Sequence, residues 1–203
     1  FALELSEALV RSGQFTVQMT RDDDYFVSLE RRIAMAHQAG ADVFISLHAD
    51  TISEGRAHGS TVYTLSKEAS DVASAKLAER HLRGDLLSGT DLSEADDRVT
   101  SVMLDLARQE TQPRSDALAA ALIDGLRGQG RPINNRPLRS AGFSVLKSAD
   151  IPSVLVEIGF LSSKRDLKNL VDPEWRAKAA RGILSGLIAW RAEDDARRAL
   201  VRQ

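Results

Sequence analysis

The spacing of apolar and polar positions predicts alternating helices and strands along the chain. Residues 1–12 carry apolar side chains at helical spacing, and Gly13 ends this helix because glycine readily adopts the left-handed cap conformation. Residues 42–50 form a nearly continuous apolar run, which predicts a buried strand. The same patterns predict strands at residues 15–19, 60–65, 143–146 and 153–158, helices at 28–38, 66–83, 91–107, 115–126 and 173–192, and a loop at 128–137. This order predicts a three-layer α/β sandwich with a twisted mixed, mainly parallel sheet between helices.

Two segments stand apart from this alternation. Residues 84–113 contain a helix that opens with Asp91 or Ser93 as a cap and has acids in its first turn. Because that helix has no obvious place in the sheet, we predict an insertion in a domain of residues 1–192. Residues 193–203 alternate acids and arginines, which predicts a polar tail, either a solvated helix end or a frayed one.

Composition narrows the possible functions. The 203 residues suit one domain, and a net charge of −2 creates no field that would favour nucleic acid or an anionic membrane. Because cysteine is absent, disulfides and a thiol nucleophile are excluded, and any metal must use His, Asp or Glu. No apolar run is long enough to insert across a membrane. No signal peptide is visible, but the chain opens at Phe1 inside a helical pattern, so we expect further residues upstream.

Two polar residues follow apolar strands and are the first candidates for chemistry. His48 ends the run at 42–50, and Glu157 ends the strand at 153–158. Ligands gather at the carboxyl ends of strands in open α/β sheets, so both side chains are expected to face one pocket. The alternatives are structural: a hydrogen-bonded His48, and a Glu157 whose buried charge is compensated by Arg136 or Arg139.

Several motifs agree with one known family. Residues 20–32 match "TR-x-x-D … L-x-x-R", Ser46–Ala49 reads SLHA, and residues 155–162 read LVEIGFLS. Together with Phe143–Leu146, these segments resemble, in family order, the zinc-dependent N-acetylmuramoyl-L-alanine amidases of amidase type 3. The resemblance runs from about Phe1 to Trp190 and implies a phosphorylase/hydrolase-like fold.

The resemblance implies that His48 is a zinc ligand and that Glu157 is the catalytic glutamate. The implied reaction is hydrolysis of the amide between N-acetylmuramic acid and L-alanine in peptidoglycan, after export to the periplasm. The family's other two zinc ligands, a His in a "GHGG" loop and a helix-opening Glu, have no match. Glu4 and Glu7 lie inside a helix whose surface needs charge. We therefore expect the two ligands upstream, and no amidase activity from these residues alone.

The acidic helix also has a counterpart in the family. Division-associated members carry an insertion that covers the zinc site until a LytM-domain activator binds, and residues 85–92 and 96–111 resemble it. The resemblance implies that Glu94 fills the open zinc position, with Asp96 and Asp97 as rivals. The alternative is that these acids only stabilise a helix N-terminus. We expect a monomer that acts in daughter-cell separation.

Two more residues are candidates for substrate binding. His58 follows His48 by ten residues and could approach the site. Arg139 is the suggestive carboxylate-binding residue under an alternative zinc carboxypeptidase-like function. A third possibility is a non-catalytic peptidoglycan-binding or regulatory module. An upstream "GHGG" followed by a helix-opening Glu would favour the amidase. His37 and His81 are predicted to lie on the surface.

Overall fold

The computed structural model describes residues 1–52, 57–87, 98–130 and 132–201, with side chains described outside residues 84–106 and 200–201. The strands in this part of the chain are β1 (Phe44–His48), β2 (Ser60–Leu65), β3 (Ile133–Ala141) and β4 (Ser153–Glu157). The helices are α1 (Ala2–Arg11), α2 (Leu29–Gln38), α3 (Val72–Leu87), α4 (Arg98–Gly128), α5 (Lys164–Val171) and α6 (Pro173–Val201), with a 3-10 turn at Ser144–Leu146.

The strands form one mixed sheet in the order β1-β4-β2-β3. β1 runs parallel to β4, β2 runs parallel to β3, and β2 and β4 are antiparallel. All five residues of β4 are buried, as expected of a central strand covered on both faces. The predicted α/β sandwich with a mixed, mainly parallel sheet is confirmed.

Successive side chains of β4 point to opposite faces of the sheet, and this alternation separates two apolar layers. Val154 and Val156 pack in a cluster with Leu122 of α4 and Ile183 of α6. Leu155 packs on the other face in a cluster that includes Leu77 of α3, Tyr63 and Phe143. The chemistry described below lies at the edge of this second face.

Helices α4 and α6 pack closely through small residues. A Cβ atom on Gly186 would lie 2.6 Å from the carbonyl oxygen of Ala121, and one on Gly182 would lie 2.9 Å from the Cα of Leu126. Farther along, Arg114 of α4 donates two hydrogen bonds, 2.7 and 2.8 Å long, to the buried carboxylate of Asp194 in α6. The segment predicted to become a polar tail at residue 193 is therefore helical through Val201 and tied to α4 at Asp194.

Three predicted elements were wrong, and two predicted helices are continuous where they are described. Residues 15–19 pair with no strand in the described chain, since Phe15 and Val17 instead pack partly buried against the core. The loop predicted at 128–137 overlaps β3, whose composition is poor in strand formers. The strand predicted at 143–146 is replaced by a 3-10 turn at Ser144–Leu146, in which Val145 and Leu146 are buried. The helices predicted at 91–107 and 115–126 belong, as far as they are described, to the continuous α4, which runs through Pro113.

No described helix combines the length and apolarity needed to cross a membrane.

Candidate active site

His48 and Glu157 lie side by side at one edge of the sheet. They are the last residues of β1 and β4, and the parallel register pairs them directly. Their neighbours upstream, Leu47 and Val156, are likewise paired, so the two apolar runs stop at the same level. The structure thus brings the two strand ends together, as the sequence predicts.

Two further side chains complete a cluster at this edge. Asp50 Oδ2 lies 3.8 Å from His48 Nδ1 and 2.5 Å from His81 Nε2. The imidazoles of His48 and His81 stack with centroids 4.5 Å apart. One ligand-type atom from each of His48, Asp50, His81 and Glu157 lies within 4.8 Å of the others. We call these four residues the histidine–carboxylate cluster.

Glu157 is the most deeply buried member, with its side chain fully inaccessible. Its Oε2 accepts a hydrogen bond of 3.0 Å from the backbone N–H of Asp50, whereas its Oε1 has no hydrogen-bond partner among the described residues. Burial, followed by the negative charge of Asp50, raises the pKa of Glu157 well above its usual value. A carboxylate with one free acceptor oxygen and a raised pKa is suited to take up a proton.

The imidazole of His48 is held in its neutral form. Burial, and then the nearby imidazole of His81, lower the pKa of His48 to about 4. Burial acts to raise the pKa of Asp50, but the hydrogen bond and charge of His81 outweigh it and lower that pKa to about 2. On the far side of the ring, Ser46 Oγ lies 2.8 Å from His48 Nε2. The cluster therefore presents an unprotonated imidazole beside an ionised carboxylate, which are the forms that bind metal ions.

This donor set fits a zinc ion. Two imidazoles and a carboxylate are ligands that Zn²⁺ commonly binds. The set needs no thiolate, and this chain has no cysteine to supply one. The unpartnered Oε1 of Glu157 is a second indication, because a buried carboxylate oxygen without a donor is costly unless a cation or water lies beside it.

The loops around the cluster are fixed by one buried carboxylate. Asp166 Oδ2 accepts hydrogen bonds from the backbone N–H of Gly59 at 2.8 Å and from that of Phe160 at 3.1 Å. Gly59 has φ +77°, and a Cβ there would lie 2.8 Å from the backbone of Ile133. The Asp166 side chain thus joins the chain segment that follows Glu157 to the one that precedes β2.

His58 and Arg139 are not members of the cluster, but they line one groove of about 630 Å³. Arg139 Nη1 donates to Asp71 Oδ2 at 2.7 Å, so its structural partner is Asp71. In the described residues no salt bridge joins Glu157 to an arginine, so the structural alternative for Glu157 is not supported. Glu94 and most of the acidic helix lie outside the described residues.

Sequence reasoning missed two members of the cluster. The prediction that His81 lies on the surface was wrong, since its side chain is 12% exposed and touches Asp50. A signal existed in the helical periodicity, because His81 follows the fully buried Leu77 by one turn of α3. Asp50 lies two residues beyond His48, so the segment that turns away from β1 brings its carboxylate back to the ring. His37, by contrast, is exposed and paired with Asp150.

A mixed β-sheet between helices, with a histidine and a buried glutamate at paired strand ends, defines a class of α/β protein whose site carries metal-binding types of side chain. Within that class the chain belongs to one family. Residues 1–189 match the model of the Amidase_3 family, described as N-acetylmuramoyl-L-alanine amidase.

Curated relatives and solved structures agree with this family. The chain is 34% identical over 194 residues to the N-acetylmuramoyl-L-alanine amidase AmiC of Escherichia coli O6:H1. This alignment covers 95% of the chain and 46% of AmiC. It is 32% identical over 184 residues to AmiA of Escherichia coli K12, covering 90% of this chain and 63% of AmiA. The chain thus spans less than two thirds of the length of these relatives. The amidase Ami1 of Mycobacterium smegmatis has the same fold, with a TM-score of 0.64 and 23% identity over 95% of this chain and 74% of Ami1.

Proposed function

We propose that this chain is the catalytic domain of a zinc-dependent amidase that cleaves the bond between N-acetylmuramic acid and L-alanine in peptidoglycan. Family membership supports the reaction class, and one observation carries the assignment to this site. The cluster places two imidazoles and a carboxylate around a fully buried glutamate whose Oε1 is unpartnered.

Within this chain, the residues that could hold zinc are His48, Asp50 and His81. The family resemblance implies only His48 among them and places the other two ligands upstream. Bound zinc would polarise the scissile carbonyl and make a water more acidic. Glu157 would accept a proton from the attacking water and deliver it to the departing amine of L-alanine. The hydrogen bond from the Asp50 N–H to Oε2 leaves Oε1 as the oxygen that carries this proton.

The test compares histidine variants of the full-length protein after chelation and repletion with zinc. We expect His48→Ala to lose both bound zinc and release of peptides with a free L-alanine N-terminus. His37→Ala is the matched control, because His37 lies exposed at the end of α2, and should keep both. Glu157→Gln should bind zinc normally and turn over about 10²–10⁴-fold more slowly. Full zinc content and turnover in His48→Ala would contradict the assignment.

The product of the same assay separates the alternatives. A zinc carboxypeptidase-like hydrolase would release a C-terminal amino acid and leave the L-alanine amide intact. A non-catalytic module would bind peptidoglycan and release nothing after zinc is added. Either result would replace the amidase proposal.

Autoinhibition by the acidic insertion is a further part of the proposal. The family resemblance of residues 85–92 and 96–111 supports this, as does the short sequence separation between Glu94 and His81, a member of the cluster. Glu94→Ala should raise the basal activity of the full-length protein, with Asp96→Ala and Asp97→Ala as comparisons. Unchanged activity in all three variants would count against an acidic plug.

We also propose a periplasmic protein that acts in daughter-cell separation and is switched on by a LytM-domain activator. The substrate lies outside the cytoplasmic membrane, which supports export. Among the fold neighbours, the CwlD amidase of Clostridioides difficile was solved in complex with the GerS lipoprotein, which supports a protein partner in general. The neighbour has 20% identity and a TM-score of 0.64 over 94% of this chain and 82% of CwlD.

A further inference from the structure

The groove that contains His58 and Arg139 adjoins the histidine–carboxylate cluster. Two of its lining residues are Ile52, just after Asp50, and Phe160, just after Glu157. The backbone N–H of Leu161 donates to the carbonyl of Asp50 at 2.9 Å, so the two segments that leave the cluster run together into the groove wall.

The opposite wall is an irregularity in β3. Ser60 pairs with Ile133 and Val62 pairs with Leu138, so one residue of β2 stands opposite residues 134–137 of β3. Pro137 has no N–H to donate to a ladder, and β3 is the edge strand, where such a residue is tolerated. The bulge releases residues 134–136 from strand pairing and lets them line the groove.

The bulge is held in shape by Arg139. Its Nη2 donates to Asn134 Oδ1 at 3.2 Å and its Nε donates to the carbonyl of Arg136 at 3.1 Å. Asn134 Oδ1 also accepts from the backbone N–H of Arg136 at 3.0 Å. Arg139 is therefore a positioning residue that holds the backbone beneath the exposed guanidinium of Arg136.

The charges of this wall favour an anion. Among the described residues that line the groove, Arg136 and Arg139 face one carboxylate, that of Asp71, which is bonded to Arg139. These three groups leave one positive charge, and Arg136 is the exposed guanidinium that can supply it. A guanidinium of this kind matches a carboxylate in a bidentate pair.

The distance from the cluster matches a short peptide. Glu157 of β4 pairs with Thr61 of β2, and Arg139 of β3 pairs with Tyr63, two residues farther along β2. Glu157 and Arg139 are therefore two residues apart along the strands and two strands apart across the sheet. With about 3.3 Å per residue and about 4.8 Å between strands, the Cα atoms of Glu157 and Arg139 are about 12 Å apart. An extended peptide covers about 3.3–3.6 Å per residue, so this distance corresponds to about three to four residues from the scissile bond.

We propose that the groove binds a side-chain or main-chain carboxylate of the substrate's peptide, about three to four residues beyond the cleaved amide, and that Arg136 is its partner. The inference rests on the proposed amidase function, because that function places the peptide's first residue at Glu157. His58 and the apolar side chains of Tyr63 and Phe160 would line the path of the peptide.

The test uses the full-length protein and two soluble substrates, a muramyl tetrapeptide with free carboxylates and the same compound with its carboxylates converted to amides. Arg136→Ala should raise KM for the free acid about tenfold, with kcat within about twofold, and leave the amidated substrate unaffected. Arg136→Lys should recover part of the loss. Arg127→Ala is the matched control, because Arg127 is an exposed arginine in the last turn of α4 and pairs with Asp124.

Binding of the free acid to the Glu157→Gln variant, measured by calorimetry, separates this inference from the proposed function. If the wild type cleaves neither substrate but Arg136→Ala still weakens this binding, the groove assignment stands and the amidase assignment fails. If Arg136→Ala changes both substrates equally, or neither, the carboxylate assignment is wrong. Near-ultraviolet circular dichroism confirms that each variant is folded.

Discussion

Substitution of Gly186 by alanine tests the packing that supports the sheet behind the cluster. The added Cβ would lie 2.6 Å from the carbonyl oxygen of Ala121 and 2.9 Å from the Cα of Leu122, both in the backbone of α4. Ordinary contacts begin at 3.4 Å, so the helices must separate by about 0.8 Å. Backbone atoms cannot rotate away, and a gap of this size forfeits a quarter to a half of each affected dispersion contact.

The expected loss is about 2 kcal/mol in the free energy of unfolding. Overpacking of this severity costs about 3 kcal/mol, and alanine recovers about 1 kcal/mol through its higher helix propensity. For a chain of this size, that loss lowers Tm by about 4–8 °C. Denaturant unfolding followed by circular dichroism measures it. Gly128→Ala is the matched control, since no atom lies within 4 Å of its Cβ, and it should not destabilise. Equal stability of the Gly186 and Gly128 variants would refute the reasoning.

Three other predictions concern single carboxylates. Asp166→Ala leaves two buried backbone N–H groups without an acceptor and should lower the free energy of unfolding by about 2–4 kcal/mol. Asp166→Asn should lose less in the same unfolding assay, and equal losses in the two variants would contradict this prediction. Asp194→Ala removes the partner of a partly buried Arg114 and should cost about 2–3 kcal/mol by chemical denaturation, below the range for a fully buried pair; no loss would contradict it. The hydrogen bond from Arg176 lowers the pKa of Glu4 below 4.5, so Glu4 stabilises the fold above that pH. Glu4→Gln should therefore be less stable at neutral pH, and the difference should vanish as pH falls through the folded-state pKa; a constant difference in pH-dependent melting would contradict it.

The predictable part of the site lies where local pattern and sheet geometry act together. His48 and Glu157 could be chosen because each ends an apolar run, and parallel neighbours bring such ends together. His81 was predicted on the surface instead. Its place beside Asp50 depends on how α3 lies across the sheet, and the spacing of α3 alone leaves several faces plausible.

The irregular parts of the fold had weaker local signals. Residues 134–137 are bulged out of β3, so their composition describes a loop although both flanking segments pair with β2. Pro113 favours a break in α4, yet the helix continues, and its next residue, Arg114, is held against α6 by the ion pair with Asp194 and by the hydrogen bond that Trp190 Nε1 donates to its carbonyl. In these cases tertiary contacts outweigh local preference.

The sequence by itself determined the family, the α/β class and the two strand ends that carry His48 and Glu157. These follow from short-range patterns, because apolar runs bury as strands and their polar ends remain at the sheet edge. Only the tertiary structure decided that Asp50 and His81 join them, that Arg139 pairs with Asp71, and that a bulge forms a groove wall. Those contacts join segments far apart in the chain, and their geometry depends on the packing of whole helices and strands against one another.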